Sequence, residues 1–230
     1  MNMQSKQKKW TKQSLFWGRD YRIYLEMFNL TKTTFLNYSS VADLCSGATN
    51  LISFCRNNDR YCVGLDFMYQ NSLDLDRETH ALFLKDLAIH NNRNVYQDCN
   101  TTQLRLEAQS NENAYSQFAH DYCHHPDFYI FSDVRVALPF NDNSFDLVLN
   151  GNNLFVNNAI FTTQTILFIL SEMIRISKHT VKIYPISVQD DFLNTLKTFF
   201  VAQQVTATIE LSKHLKLGLQ KRYILTIHCA

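Results

Sequence analysis

The chain has 230 residues, of which 46% are apolar and 19% are charged, and its formal net charge is +1. This composition excludes a disordered polypeptide, because the apolar fraction is sufficient for a buried core, and the length suits one domain with an insertion. The near-zero net charge argues against a global basic field of the kind that attracts nucleic acid or anionic membranes.

Residues 1–38 are predicted to form an N-terminal tail and a helical cap. The first residues, to about position 13, are polar and basic and contain no apolar stretch typical of a secretory signal. Over residues 15–36, apolar and aromatic side chains recur at helical spacing, which predicts a helix.

The six cysteines are scattered and form no CxxC pair, which argues against a zinc ribbon or a thioredoxin-type site. Reduced thiols in a cytoplasmic protein are the favoured interpretation. The longest strongly apolar run, residues 166–170, is too short to span a bilayer, so no membrane partner is expected.

Residues 39–230 are predicted to form one α/β domain that begins with a βαβ unit. The run SVADLCSG is a short strand ending in a turn, ATNLISFCRNN is helical, and RYCVGLDF is a second strand ending near an acidic residue. The region at about 71–125 is polar and rich in Asn and Gln, which predicts a helical insertion that covers a pocket.

The alternation of strands and helices returns after this insertion. Strands are expected in DFYIFSDV, SFDLVLN and TVKIYPI, the last one halted by Pro185, with helices over 157–177 and 190–202. VTATIEL and RYILTIHC are β-rich and are expected to pair in an antiparallel hairpin. The sequence therefore predicts a Rossmann-like, three-layer αβα sandwich with a mostly parallel sheet of about seven strands, ordered 3-2-1-4-5-7-6, whose last strand is antiparallel.

The turn after the first strand has the character of a ligand-binding loop. A strand ends at Asp43, and the small residues Cys45, Ser46, Gly47 and Ala48 lead into a helix, whose first N–H groups are unpaired. The next strand ends at Asp66, where a doubly wound fold places a carboxylate that holds ribose hydroxyls. Because GxGxxG is absent, a nicotinamide dehydrogenase is disfavoured.

These segments resemble the motifs of class I S-adenosylmethionine-dependent methyltransferases. DLCSGATN is similar to their glycine-rich first motif, VGLDF to their second, and LPFNDNSFDLVLN and SEMIRISKHTVKIYPI to the segments around their fourth and fifth strands. RIYLEMFNL, LDFMYQ and LSKHLKLGLQKRYILTI further resemble a group of bacterial methyltransferase-like proteins without an assigned substrate. The resemblance runs in register from about residue 39 to 186.

The resemblance implies S-adenosylmethionine as cofactor and a set of residues that would bind it: Tyr24, Asp43, Cys45, Gly47, Asp66, Phe67, Val134, Arg135 and Asn150. The chain departs from the family at two motif glycines, replaced by Cys45 and Thr49, and Cys45 suits the turn if its φ is negative. Val134 stands where an acid often holds the adenine amino group, so backbone contacts are expected there.

Methyl transfer depends mainly on alignment of the acceptor, so the sequence leaves the catalytic residues unknown. The candidates are Asn150 and Asn152, at the end of the fourth strand. The acceptor is expected to be a small molecule, with a protein or RNA as open alternatives. A catalytically degenerate binding or regulatory protein of the same fold is the competing hypothesis.

Histidines cluster between His120 and His125, but Pro126 follows directly and no second group of ligands accompanies them. We expect a surface helix end there, and no metal site in the chain.

Overall fold

The computed structural model describes residues 16–70, 74–97, 101–156, 161–186, 190–214 and 222–229. The predicted tail at 1–13 and most of the KHLKLGLQK segment lie outside these residues. So does Cys99, while the other five cysteines are free thiols.

The strands form one sheet in the order β3-β2-β1-β4-β5-β7-β6, as the sequence predicts. Neighbouring strands from β3 to β5 are parallel, and β7 runs antiparallel between β5 and β6. The strands are β1 Ser40–Leu44, β2 Tyr61–Asp66, β3 Tyr129–Phe131, β4 Phe145–Gly151, β5 Ser177–Ile186, β6 Thr206–Leu211 and β7 Tyr223–His228.

Helices cover both faces of this sheet. They are α1 Tyr21–Met27, α2 Lys32–Phe35, α3 Leu51–Arg56, α4 Arg77–Tyr96, α5 Thr102–His124, α6 Thr163–Ile176 and α7 Asp190–Ala202. Side chains alternate between faces along a strand. In β4, Leu147 and Leu149 pack in the core shared with α1–α5, whereas Val148 packs in the core shared with α6 and α7. The predicted αβα sandwich is therefore confirmed.

The expected helix over residues 15–36 is broken into three parts. Residues 16–20, here called the strap, are not helical, and α1 begins only after Asp20, whose side chain accepts a hydrogen bond from the Arg22 N–H. Asn29, with φ of 54°, ends this first helical segment, and Thr31 caps α2. Local capping groups therefore override the helical spacing of the apolar side chains.

Strand β5 does not stop at Pro185 but continues to Ile186. Its register against β7 shifts between Ile183 and Ile186, which places the proline at an irregularity. A proline is tolerated at such a position because its missing N–H is not required by the ladder.

The described part of the insertion is mostly helical, and its two helices, α4 and α5, pack against each other. Residues 71–73 and 98–100 lie outside the described part. Within the described residues, none of the helices combines the length and the apolar character needed to cross a membrane.

Candidate functional site

A cavity of about 900 Å³ opens at the carboxyl ends of the central strands. Cys45 follows β1, Asp66 ends β2, and Gly151 ends β4, and all three line it. The carboxyl edge of a parallel sheet is where doubly wound folds bind ligands, and the volume is typical of a small-molecule site. The last turns of α4 form another wall through Asn91, Asn94 and Val95, so the insertion borders the cavity.

The strap crosses directly over the glycine turn and forms a wall that the sequence did not predict. A Cβ added to Gly47 would lie 1.7 Å from the Trp17 carbonyl oxygen, and the φ of Gly47 is +58°. A Cβ on Gly18 would lie 2.3 Å from the Ala48 carbonyl carbon. The two glycines therefore allow the strap and the turn to pack backbone against backbone.

A buried polar network holds the strap against the insertion. The Tyr115 hydroxyl lies 3.0 Å from the Gly18 carbonyl oxygen and 3.3 Å from Asn92 Oδ1. The same Asn92 oxygen accepts hydrogen bonds from Asn111 Nδ2 at 3.3 Å and from Trp17 Nε1 at 3.5 Å. Since Asn92 is fully buried, loss of its side chain would remove an acceptor that three buried donors share.

Asp66 presents its carboxylate to the cavity from the end of β2. Its Oδ1 accepts the Met68 N–H at 2.8 Å, and its Oδ2 accepts the Gly47 N–H at 3.0 Å. Burial raises the pKa of this carboxyl to about 6, against the lowering effect of the two amides. Each oxygen retains a second lone pair, so the carboxylate is oriented by the backbone and can still accept bonds from a ligand.

Asp43 lies behind the cavity and not in its wall. The Tyr24 hydroxyl, which belongs to a cavity-lining residue, donates to Asp43 Oδ1 at 2.5 Å. Asp43 Oδ2 is buried and has no hydrogen-bond partner among the described residues. Burial raises the pKa of Asp43 to about 8, although the bond from Tyr24 lowers it. Asp43 therefore holds its proton to a higher pH than an exposed aspartate does.

Cys45 adopts a φ of +57°, so the condition of a negative φ, under which a cysteine suits the turn without strain, is not met. The turn is held from both sides, because the Ser46 N–H donates to the Leu65 carbonyl at 3.1 Å and the Ser46 hydroxyl lies 2.7 Å from the Tyr69 hydroxyl. A left-handed conformation costs an L-residue about 1–2 kcal/mol. Burial raises the pKa of the Cys45 thiol, so it is a neutral thiol and not a reactive thiolate.

Phe67, Val134 and Arg135 also line the cavity, on the side of β2 and β3. The Arg135 guanidinium pairs with Asp133 at 2.6 Å, and the Arg135 N–H donates to Asp133 Oδ1 at 3.0 Å. That amide is therefore engaged within the protein, which does not fit the expectation that it contacts adenine. The backbone of Val134 and the exposed ring of Phe67 remain on this side.

The two candidate catalytic asparagines separate. Asn150 is buried, donates from Nδ2 to the Leu44 carbonyl at 3.0 Å and accepts the Leu154 N–H at 3.1 Å. It does not line the cavity, and its amide joins β1 to the loop after β4. Asn152 does line the cavity, with Nδ2 3.6 Å from Met27 Sδ.

The cavity thus brings together six of the nine predicted cofactor-binding residues, together with the catalytic candidate Asn152; the six are Tyr24, Cys45, Asp66, Phe67, Val134 and Arg135. Asp43, Gly47 and Asn150 support its walls from behind. The wall residues that sequence reasoning missed include Phe16, Trp17 and Arg19 of the strap and Phe161 before α6. The one local signal for the strap was Gly18, which interrupts the helical pattern just before a capping aspartate.

The histidine cluster lies at the surface end of α5. His120 and His124 are exposed, their rings stack at 4.2 Å, and the helix ends at His124. Among the described residues, no three metal-ligating side chains come together.

The sequence matches no protein-family model, and no curated protein is similar enough in sequence to match it. Several solved structures share the fold. Magnesium protoporphyrin IX methyltransferase from Synechocystis PCC 6803, with bound S-adenosylmethionine, is 10% identical, with a TM-score of 0.50 over 100% of this chain and 85% of that one. The methyltransferase domain of bacterial CtHen1-C is 10% identical, with a TM-score of 0.52 over 91% and 97% of the two chains. The CtHen1-CN form is 12% identical, with a TM-score of 0.50 over 90% and 100%. The chain therefore has the fold of the class I S-adenosylmethionine-dependent methyltransferases.

Proposed function

We propose that this chain transfers a methyl group from S-adenosylmethionine to a small molecule held in the cavity at the carboxyl edge of the sheet. The observation that carries the proposal is the Asp66 carboxylate. It stands at the end of β2, in the cavity wall, with both oxygens oriented by backbone amides. Their remaining lone pairs suit the two adjacent hydroxyls of a ribose.

The rest of the cavity fits the other parts of this cofactor. Phe67 and Val134 offer apolar surface for a flat base beside Asp66. Tyr24 and the buried Asp43 behind it suit the cationic end of the molecule, because a nearby positive charge favours the ionised form of a carboxyl whose pKa is about 8. The Synechocystis enzyme of the same fold contains S-adenosylmethionine, which supports this assignment.

Bound S-adenosylmethionine supplies a methyl group already activated by its sulfonium charge. The residues of the chain bind and orient the cofactor and the acceptor, and they exclude water. The strap and α4 enclose the cavity, which favours a small acceptor over a protein or RNA. Asn152, at the end of β4, is the polar side chain that we assign to contact with the acceptor.

The competing hypothesis of a degenerate, non-catalytic protein depended partly on Cys45. The turn at Cys45 keeps the left-handed conformation that a glycine would adopt, so this substitution leaves the shape of the turn intact.

Calorimetric titration of the purified protein with S-adenosylmethionine and S-adenosylhomocysteine tests the proposal. Both are expected to bind, whereas NAD serves as a control and is expected not to bind, because no pyrophosphate loop is present in the turn after β1. Failure of both sulfur nucleosides to bind would contradict the proposal.

A further inference from the structure

The two sides of the main cavity differ in charge. On the side of β2 and β3, Asp66, Asp133 and Arg135 line the wall, and Asp133 pairs with Arg135 at 2.6 Å. Strand β1 separates this side from β4. The opposite wall, here called the β4 side, is formed by uncharged residues at the end of β4 and in the chain that follows it, which are Gly151, Asn152, Asn153, Val156 and Phe161.

Asn152 is the residue at which the chain turns away from β4. Its φ is +57°, a conformation that asparagine adopts more readily than most residues, and its N–H donates to the Tyr184 carbonyl at 2.5 Å. Its Nδ2 lies 3.6 Å from Met27 Sδ, and a thioether is a weak acceptor. The backbone thus sets where this amide meets the cavity, and the amide oxygen can accept a hydrogen bond from a ligand.

Apolar and aromatic side chains surround this amide. Val156 and Phe161 belong to the β4 side, and Phe16 and Trp17 of the strap line the same cavity. The Phe16 ring packs 6.1 Å from the ring of Phe118, which holds it in place. Aromatic rings held in this way favour a flat aromatic ligand, because ring pairs stabilise each other beyond the area that they bury.

We propose that the β4 side of the cavity binds the methyl acceptor as an uncharged, flat aromatic molecule whose hydroxyl donates to the Asn152 amide oxygen. The inference rests on the proposed function, which places the cofactor on the side of β2. A charged acceptor would lose its water against Val156 and Phe161, which costs far more than the burial of an uncharged ring. The cation of Arg19, in the strap, is already matched by the Glu107 carboxylate at 3.0 Å.

The probe is 2-naphthol, which is uncharged at about pH 7 because a phenolic hydroxyl ionises only near pH 10. Its counterparts of similar shape are 2-naphthoate, an anion, and 2-naphthylmethylamine, a cation. Each is titrated calorimetrically into protein saturated with S-adenosylhomocysteine, so that the cofactor site is filled. The affinity for 2-naphthol is expected to exceed that for either charged compound by about tenfold or more.

Two exposed valines provide a matched pair of variants. Val156 is 52% exposed and lines the cavity, whereas Val136 is 56% exposed and does not line it. Val156→Lys places a cation on the β4 side and is expected to raise the affinity for 2-naphthoate at least about fivefold. Val136→Lys is expected to leave the affinities for all three probes unchanged.

Asn152→Gly tests the hydrogen bond separately. Glycine tolerates the positive φ of this position, so the turn keeps its shape while the amide is removed. The affinity for 2-naphthol is expected to fall about fivefold, while that for S-adenosylhomocysteine changes by less than about threefold.

The inference is overturned if wild type fails to bind 2-naphthol, or binds either charged compound as tightly. A response of Val136→Lys as large as that of Val156→Lys would also overturn it, because the charge would then act from the general surface. So would displacement of S-adenosylhomocysteine by 2-naphthol, since the ring would then occupy the cofactor's part of the cavity. If wild type binds no S-adenosylhomocysteine, the proposed function fails, and the same titrations of free protein decide whether the β4 side prefers an uncharged ligand.

Discussion

Removal of the Asp66 carboxylate is the sharpest test of the cofactor site. In Asp66→Ala, the ribose of the cofactor would lose two hydrogen bonds to a charged group, each worth about 1.5–3 kcal/mol. The expected loss is roughly 3–5 kcal/mol, or a few hundred- to several thousand-fold in affinity for S-adenosylhomocysteine. The measurement is a calorimetric titration of wild type and variant at a temperature where both are folded.

The structure adds an effect on stability that a purely ligand-binding role would not produce. Asp66 accepts the N–H groups of Gly47 and Met68, so alanine leaves both amides without that partner. The free energy of unfolding without ligand is therefore expected to fall by about 1–3 kcal/mol, as it does when a helix cap is removed. Affinity and stability must consequently be separated by a control.

Asp76→Ala is that control. Asp76 caps α4 by accepting the Thr79 N–H at 2.9 Å, and it does not line the cavity. Its loss is expected to lower the melting temperature, because the cap is removed, and to leave S-adenosylhomocysteine affinity unchanged. If Asp66→Ala retains wild-type affinity within about threefold, the ribose assignment is refuted.

Three further perturbations test the turn, the buried acid and the strap. Cys45→Gly is expected to raise the melting temperature, because glycine adopts a positive φ without strain. Gly47→Ala is expected to lower it strongly, because the new Cβ would meet the Trp17 carbonyl oxygen. Equal melting temperatures of the two variants would contradict this expectation. Folding raises the pKa of Asp43 from 3.8 to about 8, so its contribution to stability is present below about pH 4 and is lost as the pH rises through 8. In urea unfolding, the free energy of unfolding of Asp43→Asn should therefore decline less steeply with pH over that range than that of the wild type. Asn92→Ala is expected to lower the free energy of unfolding by about 2–3 kcal/mol and to speed proteolysis of the strap, and unchanged cleavage would show that Asn92 does not hold it.

Most of the strand limits could be predicted from the sequence, because they depend on local patterns. The order of the strands was predicted from the alternation of strands and helices and the β-rich pair at the C-terminus, and the sheet confirms it. Apolar runs ended by turn residues mark β1 and β2, and the turn before Phe145 marks the start of β4. The C-terminal pair of strands was likewise predictable from two β-rich runs. Asp66 could be placed in the site for the same reason, since a residue at the carboxyl end of a parallel strand lies at the binding edge.

The side-chain orientation of the other site residues could not be predicted in this way. Asp43 and Asn150 also stand at or next to strand ends, yet both are buried behind the cavity. Their orientation depends on partners from distant parts of the chain: Tyr24 donates to Asp43, and the Leu44 carbonyl accepts from Asn150. A sequence pattern indicates where a strand ends, but not which neighbouring group satisfies a side chain there.

The conformation of the strap likewise depends on tertiary contacts and not on the local sequence pattern. The apolar spacing of residues 15–36 predicts a helix and is a property of the sequence alone. Residues 16–20 are instead held in a non-helical conformation by Asn92, Asn111 and Tyr115, which follow them by many residues, and by close contact with Gly47. Tertiary contacts of this kind outweigh a local helical preference, since a few buried hydrogen bonds exceed the small free-energy differences between backbone conformations. The sequence by itself therefore determined the sheet and the position of its binding edge, and only the packing of the strap and the insertion decided which side chains face the ligand.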